Sequence, residues 1–318
     1  MPFTSIVIPL YNKVDYIVEA INSVIAQTFT DWEMVIVDNG STDGSWEEVQ
    51  KIKDSRLCLL QALKRGPGAA RNHGLQHSKG AWIQFLDADD LLEPDHLEQQ
   101  FISIRRHPEA DILACCWQEF TPEHPTEKNL KHPAGNGHPN QVLRNSAIAF
   151  APWAVHAAII KRSVLSPDYY WDERLDRYLG EDIAFWFKLV TQYQVAYSKS
   201  CGALYRIQTT NCRTQNEDAQ RWFQGVHNAI QSNLTYLKTL NSKYTTGQCG
   251  ALVRAYSELY RLANQTNCQV VAQESLDLAN KWLENYFAIS ERPTISMKAR
   301  KFLGIDNFLK LSTLCSYK

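Results

Sequence analysis

No stretch of this 318-residue sequence runs for about 18 or more uncharged apolar residues, so a membrane-spanning helix is not expected. Net charge is nearly absent too: 33 Lys and Arg face 34 Asp and Glu, a balance of −1. That disfavours a nucleic-acid binder working through a global positive field, because phosphate neutralisation needs clustered cations. The chain opens MPFTSIVIPLYNK, with no basic leader and its apolar run cut at Pro9, so no secretory signal is expected. The eight cysteines (Cys58, Cys115, Cys116, Cys201, Cys212, Cys249, Cys268 and Cys315) form no CxxC pair and no regular framework. Reduced thiols in a cytoplasmic protein are the expectation. No internal repeat or low-complexity tract breaks the chain.

What remains is ordinary globular material, 44% hydrophobic and 21% charged, enough for one large domain or two modest ones. The first part alternates apolar, β-branched runs with helical stretches: strands over Thr4–Leu10, Trp32–Asp38, Leu57–Leu60 and Ala81–Leu86, helices over Asp15–Ala26, Asp43–Lys53 and from after Gly66-Pro67-Gly68 to Ser78. This alternation predicts βαβ units and a mainly parallel sheet. Ligands in such sheets bind beyond the carboxyl ends of the strands, where Tyr11-Asn12, Asp38-Asn39 and Asp87-Ala88-Asp89-Asp90 fall. Further strands are expected over Asp111–Trp117, Ala157–Lys161 and Ala203–Ile207, and a helix over Glu181–Tyr193. Residues 121–140, rich in Pro, His, Lys and Gly, read as a long surface loop. From about Glu217 only helices are expected, with stripes such as Phe223, Val226, Ile230, Leu234 and Leu237. The expected division is 1–215 for an α/β body and 216–318 for a helical region.

FLDADD at 85–90 is the densest chemical signal. Carboxylates at i and i+2 where a strand ends reach a common point, and Mg²⁺ takes one or two carboxylates plus substrate phosphates. Taken alone, Asp89, Asp90 and Glu93 read more readily as the capping region before Leu91-Leu92, with Pro94 starting the next helix.

In register with it stand IVIPLYN at 6–12, VIVDNGSTDGS at 35–45, GAARNHG at 68–74 and GEDIAFWFKL at 180–189. Together these five segments resemble the family 2 glycosyltransferases, over about residues 3–210. The resemblance implies a GT-A fold and an inverting, metal-dependent enzyme using a nucleotide sugar. It further implies that Pro9 and Tyr11 line the base pocket, that Asp38 accepts the uracil N3–H, and that Arg71 reaches the base or the phosphates. Asp87 with Ala88 would contact the nucleotide, and Asp89 would bind Mn²⁺ or Mg²⁺ on the diphosphate. Asp182 would be the general base, with Glu181 as its fallback or its positioning neighbour. A UDP-sugar donor and a glycan or lipid-linked acceptor follow from the same resemblance.

Each residue has a plainer reading. Asp38 and Asp43 suit an Asx-turn and a helix cap around Gly40; Arg71 suits a solvated helix face; Glu181-Asp182 suits an acidic first turn. Trp117, Trp153 and Trp171 suit sugar stacking or the core. One departure stands out: where many family members carry Y-R-x-H, this chain has Tyr205-Arg206-Ile207-Gln208. An amide is a weaker metal ligand than imidazole, which leaves the third protein ligand open; Arg206 and Gln208 are candidates for phosphate or acceptor contact. The last segment, 297–318, places Lys298, Arg300, Lys301 and Lys310 beside Phe302, Leu303, Phe308 and Leu309. Such a helix suits peripheral contact with the inner face of a membrane, or docking on its own domain; helical stripes also suit a homo-oligomer contact. Two competing functions are a non-catalytic nucleotide-sugar-binding scaffold and a sugar nucleotidyltransferase. The latter needs a Gly-rich phosphate loop after the first strand, where Pro9-Leu10-Tyr11-Asn12-Lys13 stands instead.

Overall fold

The computed structural model describes residues 2–137, 140–209 and 218–315. Its elements run β1 (Thr4–Leu10), α1 (Ile17–Ile25), β2 (Trp32–Asp38), α2 (Ser45–Lys51), β3 (Leu57–Gln61), α3 (Pro67–His77), β4 (Trp82–Phe85), β5 (Leu91–Leu92) and α4 (His96–Arg106). Next come β6 (Ile112–Ala114), β7 (Trp117–Phe120), β8 (Asn129–Lys131), α5 (Asn140–Ser146), β9 (Ala158–Lys161), α6 (Glu181–Gln192), β10 (Val195–Tyr197) and β11 (Ala203–Arg206). Five helices close the chain: α7 (Ala219–Thr239), α8 (Thr246–Gln265), α9 (Gln269–Ile289), α10 (Ile295–Leu303) and α11 (Ile305–Cys315).

Seven strands form the main sheet in the order β10-β6-β9-β4-β1-β2-β3. Every pairing in it is parallel except those of β9, antiparallel to both β4 and β6. β1 is continuously apolar because both its faces are covered, as parallel strands require: Ile6, Val7, Ile8 and Leu10 are fully buried. The chain passes from β1 to β2 on one side and returns to β4 on the other. This is the switch point beside which a crevice opens. Register places Leu10 opposite Asp38, and Val7 opposite Phe85, so the polar segments after β1, β2 and β4 leave the sheet side by side.

A second sheet, β5-β11-β7-β8, carries residues 203–209 to the end of β4. The expected strand over Asp111–Trp117 proves to be two strands in different sheets. The chain bends at Cys115 and Cys116, both buried, and an unbroken apolar run gives no sign of that bend. Leu91–Leu92 is a short strand, and α4 begins at His96, after Asp95, rather than at Pro94, so Asp89 and Asp90 do not cap it. The 121–137 segment is mostly exposed but contributes β8. β10 and α5 had no counterpart in the sequence pattern.

The helical region does not stand apart. One apolar cluster runs from Val7 and Phe85 through Phe185 and Trp186 to Phe223, Tyr256, Trp282 and Tyr286. A tight joint is Gly225 on α7, where an added Cβ would lie 2.1 Å from the Leu179 carbonyl oxygen. That contact seats α7 against the turn leading into α6. Met297 and Arg300 of α10 are buried, while Ile295 and Phe302 are exposed. Among the described residues no helix is long and apolar enough to cross a membrane, and the described cysteines are free thiols. Cys212 and Cys315 are outside that comparison.

Candidate active site

The loop after β1 is braced by the loop after β2. Ser41 Oγ accepts the Asn12 N–H at 3.1 Å, Ser45 Oγ the Lys13 N–H at 2.8 Å, and Asp43 Oδ2 the Val14 N–H at 3.0 Å. Asn12 itself is left-handed (φ 50°), and its Oδ1 accepts the Thr42 N–H at 2.8 Å. Burial pushes the Asp43 carboxyl up, but its bonds from Ser45 and Val14 outweigh that and lower it. Asp38, only 4% exposed, accepts the amides of Gly40 at 3.2 Å and Ser41 at 3.3 Å. It therefore makes the Asx-type turn, while Tyr11 stands half exposed at the rim and Pro9 is partly covered.

Arg71 is no surface charge. Its guanidinium is 4% exposed, lies 4.3 Å from the Trp171 ring centroid, and bonds Asp87 Oδ1 at 2.7 Å and Glu181 Oε1 at 3.4 Å. Burial pulls its pKa down; Asp87, then Glu181, more than offset this, so it is raised and the group stays charged. One cation thus ties α3, the end of β4 and the start of α6. Trp171 stacks on Phe185 at 4.0 Å, and Trp153 is 2% exposed; both are core residues, while Trp117 is partly buried. Beside Glu181, burial and the Glu181 charge push the Asp182 carboxyl up to about 6, against the pull of Arg71.

Asp89 faces another cation. Its Oδ2 lies 2.7 Å from Lys13 Nζ and accepts the Thr209 hydroxyl at 3.0 Å. Ala88, between the two acids, is buried. Arg206 bonds the Asp89 carbonyl at 2.8 Å and Glu19 at 2.7 Å, between the Tyr16 and Phe120 rings. Gln208 is exposed and left-handed (φ 61°), and it is Thr209 that meets Asp89. Behind them Asp90 accepts the Arg206 N–H at 2.8 Å and forms a 3.1 Å ion pair with His156. Burial raises Asp90 above the carboxylate range, while Asp90 raises His156 against the effect of burial.

Sequence reasoning missed Lys13, Thr209, His156 and Asp176. Asp176 accepts the Gly68 and Ala69 amides at 2.7 and 3.0 Å, filling the N-terminus of α3 from 108 residues away. A Cβ on Gly68 would meet Asp176 Oδ1 at 2.5 Å, which explains the glycine but points to no partner. Lys13 had a signal: it follows directly on the YN of the first motif.

A divalent ion fits this donor set in one way. Among the described residues no group of three His, Cys, Asp or Glu side chains stands ready to hold a metal. Asp89 offers one carboxylate, which suits an oxygen-seeking ion that brings phosphate ligands with it. Surface hollows of about 340 and 380 Å³ lie elsewhere, around Ser198–Gly202 and around Tyr170–Arg174.

A family model described as Glycosyl transferase family 2 matches residues 5–166, just over half of the 318-residue chain. The chain belongs to glycosyl transferase family 2. An uncharacterized glycosyltransferase of Rickettsia felis is 43% identical over 98 residues, covering 30% of this chain and 16% of that protein. The family 2 chain therefore matches only a small part of that relative's length. Among solved structures, Staphylococcus aureus TarS 1–349 in complex with UDP-GlcNAc aligns with TM-score 0.60 at 19% identity, covering 93% of this chain and 94% of that one. The mannosyltransferase PcManGT of Pyrobaculum calidifontis, in complex with GDP-Man and Mn²⁺, aligns with TM-score 0.56 at 19% identity, covering 99% and 84%. At such identities the likeness shows the fold, a GT-A α/β architecture.

Proposed function

We propose that this chain is an inverting glycosyltransferase that moves a sugar from a UDP-sugar to a hydroxyl of a glycan or lipid-linked acceptor. The observation that carries this reading is the Arg71 knot, which gathers Asp87 and Glu181 beside Asp182. Inverting transfer needs a carboxylate that takes the acceptor proton as its oxygen attacks opposite the diphosphate. A carboxyl at about 6 is mostly ionised at neutral pH yet more basic than an ordinary aspartate, close to the optimum for a general base. The N-terminus of α6 favours its ionised form.

On the donor side, Tyr11 offers its ring at the rim to the uracil. Asp38 has about four lone-pair sites, and two backbone amides leave capacity for the ring N3–H. Asp87, at the end of β4, serves the ribose, with Ala88 between the acids. A divalent ion held by Asp89 and the donor's own phosphates would act as a Lewis acid on the departing diphosphate; PcManGT in its complex with Mn²⁺ supports this. Residues 1–215 form the catalytic body, and residues 216–318 brace it through α7. Exposed Ile295 and Phe302 beside Lys298 and Lys301 support membrane-surface contact by α10.

The reading is tested by incubating the full chain with a panel of UDP-sugars and Mn²⁺ and measuring UDP release. Release expected from at least one donor, and lost in Asp89→Asn and Asp182→Asn, would support it. Release unaffected by either substitution would place the chemistry elsewhere.

A further inference from the structure

We propose that Lys13 is a built-in cation of the donor-diphosphate site, holding Asp89 before a donor arrives and turning to a phosphate oxygen when one binds. This rests on the nucleotide-sugar reading above. The Lys13 backbone is fixed by its 2.8 Å bond to Ser45 Oγ, so the side chain swings from a braced point. Its Nζ lies 2.7 Å from Asp89 Oδ2 and 3.5 Å from Thr209 Oγ1, with 14% of the side chain exposed. The Thr209 hydroxyl donates to the same Oδ2 at 3.0 Å. Any divalent ion that binds Asp89 through that oxygen must displace the ammonium.

The chemistry of the two groups makes such an exchange workable. An ammonium is a compact charge on a flexible stem and a good point-charge partner for phosphate. Arg206, by contrast, is fixed by bonds to Glu19 and the Asp89 carbonyl, and Arg71 by Asp87 and Glu181. Among the described residues, Lys13 is the cation whose side chain reaches the Asp89 carboxylate itself. Two consequences follow. Nucleotide binding keeps a positive partner when no metal is present, and free metal binds weakly because it competes with Lys13 for Asp89.

The test titrates the full chain with UDP by calorimetry, once in EDTA and once in Mn²⁺, for wild type, Lys13→Met and Lys13→Arg. Mn²⁺ alone is titrated in parallel and followed by electron paramagnetic resonance. Lys13→Gln replaces Lys13→Met if the latter does not fold. In EDTA, wild type is expected to bind UDP, Lys13→Met to bind at least tenfold more weakly, and Lys13→Arg to recover most of the loss. Mn²⁺ alone is expected to bind Lys13→Met more tightly than wild type. Equal UDP affinity of Lys13→Met and wild type in EDTA overturns the proposal and leaves the nucleotide reading intact. Wild type that binds UDP in Mn²⁺ but not in EDTA overturns it as well. Wild type that binds UDP in neither buffer overturns the nucleotide reading, and this proposal with it.

Discussion

Asp87 and Asp89 stand two residues apart, and each has a cation 2.7 Å away, yet the two pairs are built for different work. The Arg71 side chain is 5% exposed, 4.3 Å from the Trp171 ring centroid and shared with Glu181. The Lys13 side chain is 14% exposed and reaches its carboxylate from a loop. A guanidinium held on both edges and stacked on a ring fixes the elements that carry it. An ammonium on a flexible stem can leave. The contrast separates what frames the site from what responds to a ligand, though both pairs come from a single DADD segment.

Breaking the framing pair should have the largest effect. Arg71→Met leaves Asp87 and Glu181 without their buried partner, and breaking such a pair typically costs about 3–5 kcal/mol. Denaturant unfolding is the measurement. A loss below about 1 kcal/mol would show that the guanidinium does not hold the three elements together. Gly225→Ala probes the same frame from behind. On an exposed helix this change would stabilise by up to about 1 kcal/mol. Here the methyl meets the Leu179 carbonyl, so a loss of about 1–3 kcal/mol is expected, with reduced transfer because the entry to α6 shifts.

A pH profile sharpens the comparison further. Transfer should fall as pH drops through about 6, where Asp182 takes up a proton. Because Arg71 lowers that pKa, any Arg71→Met that remains folded should show the limb at higher pH. The stability sign is opposite. A carboxyl raised in the folded state contributes stability below its unfolded value of 3.8 and loses it as pH rises through about 6. Asp182→Asn should therefore melt no lower than wild type at pH 7.5, and thermal unfolding at pH 4 and pH 7.5 checks this. The smallest effect belongs to Lys13→Met, whose pair is partly exposed: a stability change within about 1 kcal/mol. A larger loss by denaturant unfolding would make Lys13 part of the frame and remove the contrast.

The frame was legible where local pattern and burial coincide. Thr4–Leu10 and Trp32–Asp38 read as strands because both faces of a parallel strand are apolar, and their bounds match the structure. Arg71, Asp87 and Glu181 were legible as motif positions, but their mutual contact was not, since 110 residues separate Arg71 from Glu181. Read alone, Arg71 looked solvated because its helix read as amphipathic, with a polar face for the charge. Small residues bury that helix on more than one side: Gly68, Ala69, Ala70, Gly74 and Leu75 are all covered. The break between β6 and β7 was invisible because Ala114, Cys115 and Cys116 continue the apolar run through it. Thr209 and Asp176 meet the site through tertiary contacts that no spacing encodes.

The most direct test of the account is Asp182→Asn beside wild type, measured for UDP affinity by calorimetry and for transfer with the donor found in the panel. Removing a general base costs about 10²–10⁴ in rate, while the Asp182 side chain accepts a hydrogen bond from the Ile183 N–H of its own helix. The prediction is transfer reduced at least about a hundredfold, with UDP affinity unchanged. Transfer near the wild-type rate in Asp182→Asn, with Glu181→Gln inactive, would contradict it and give the proton to Glu181.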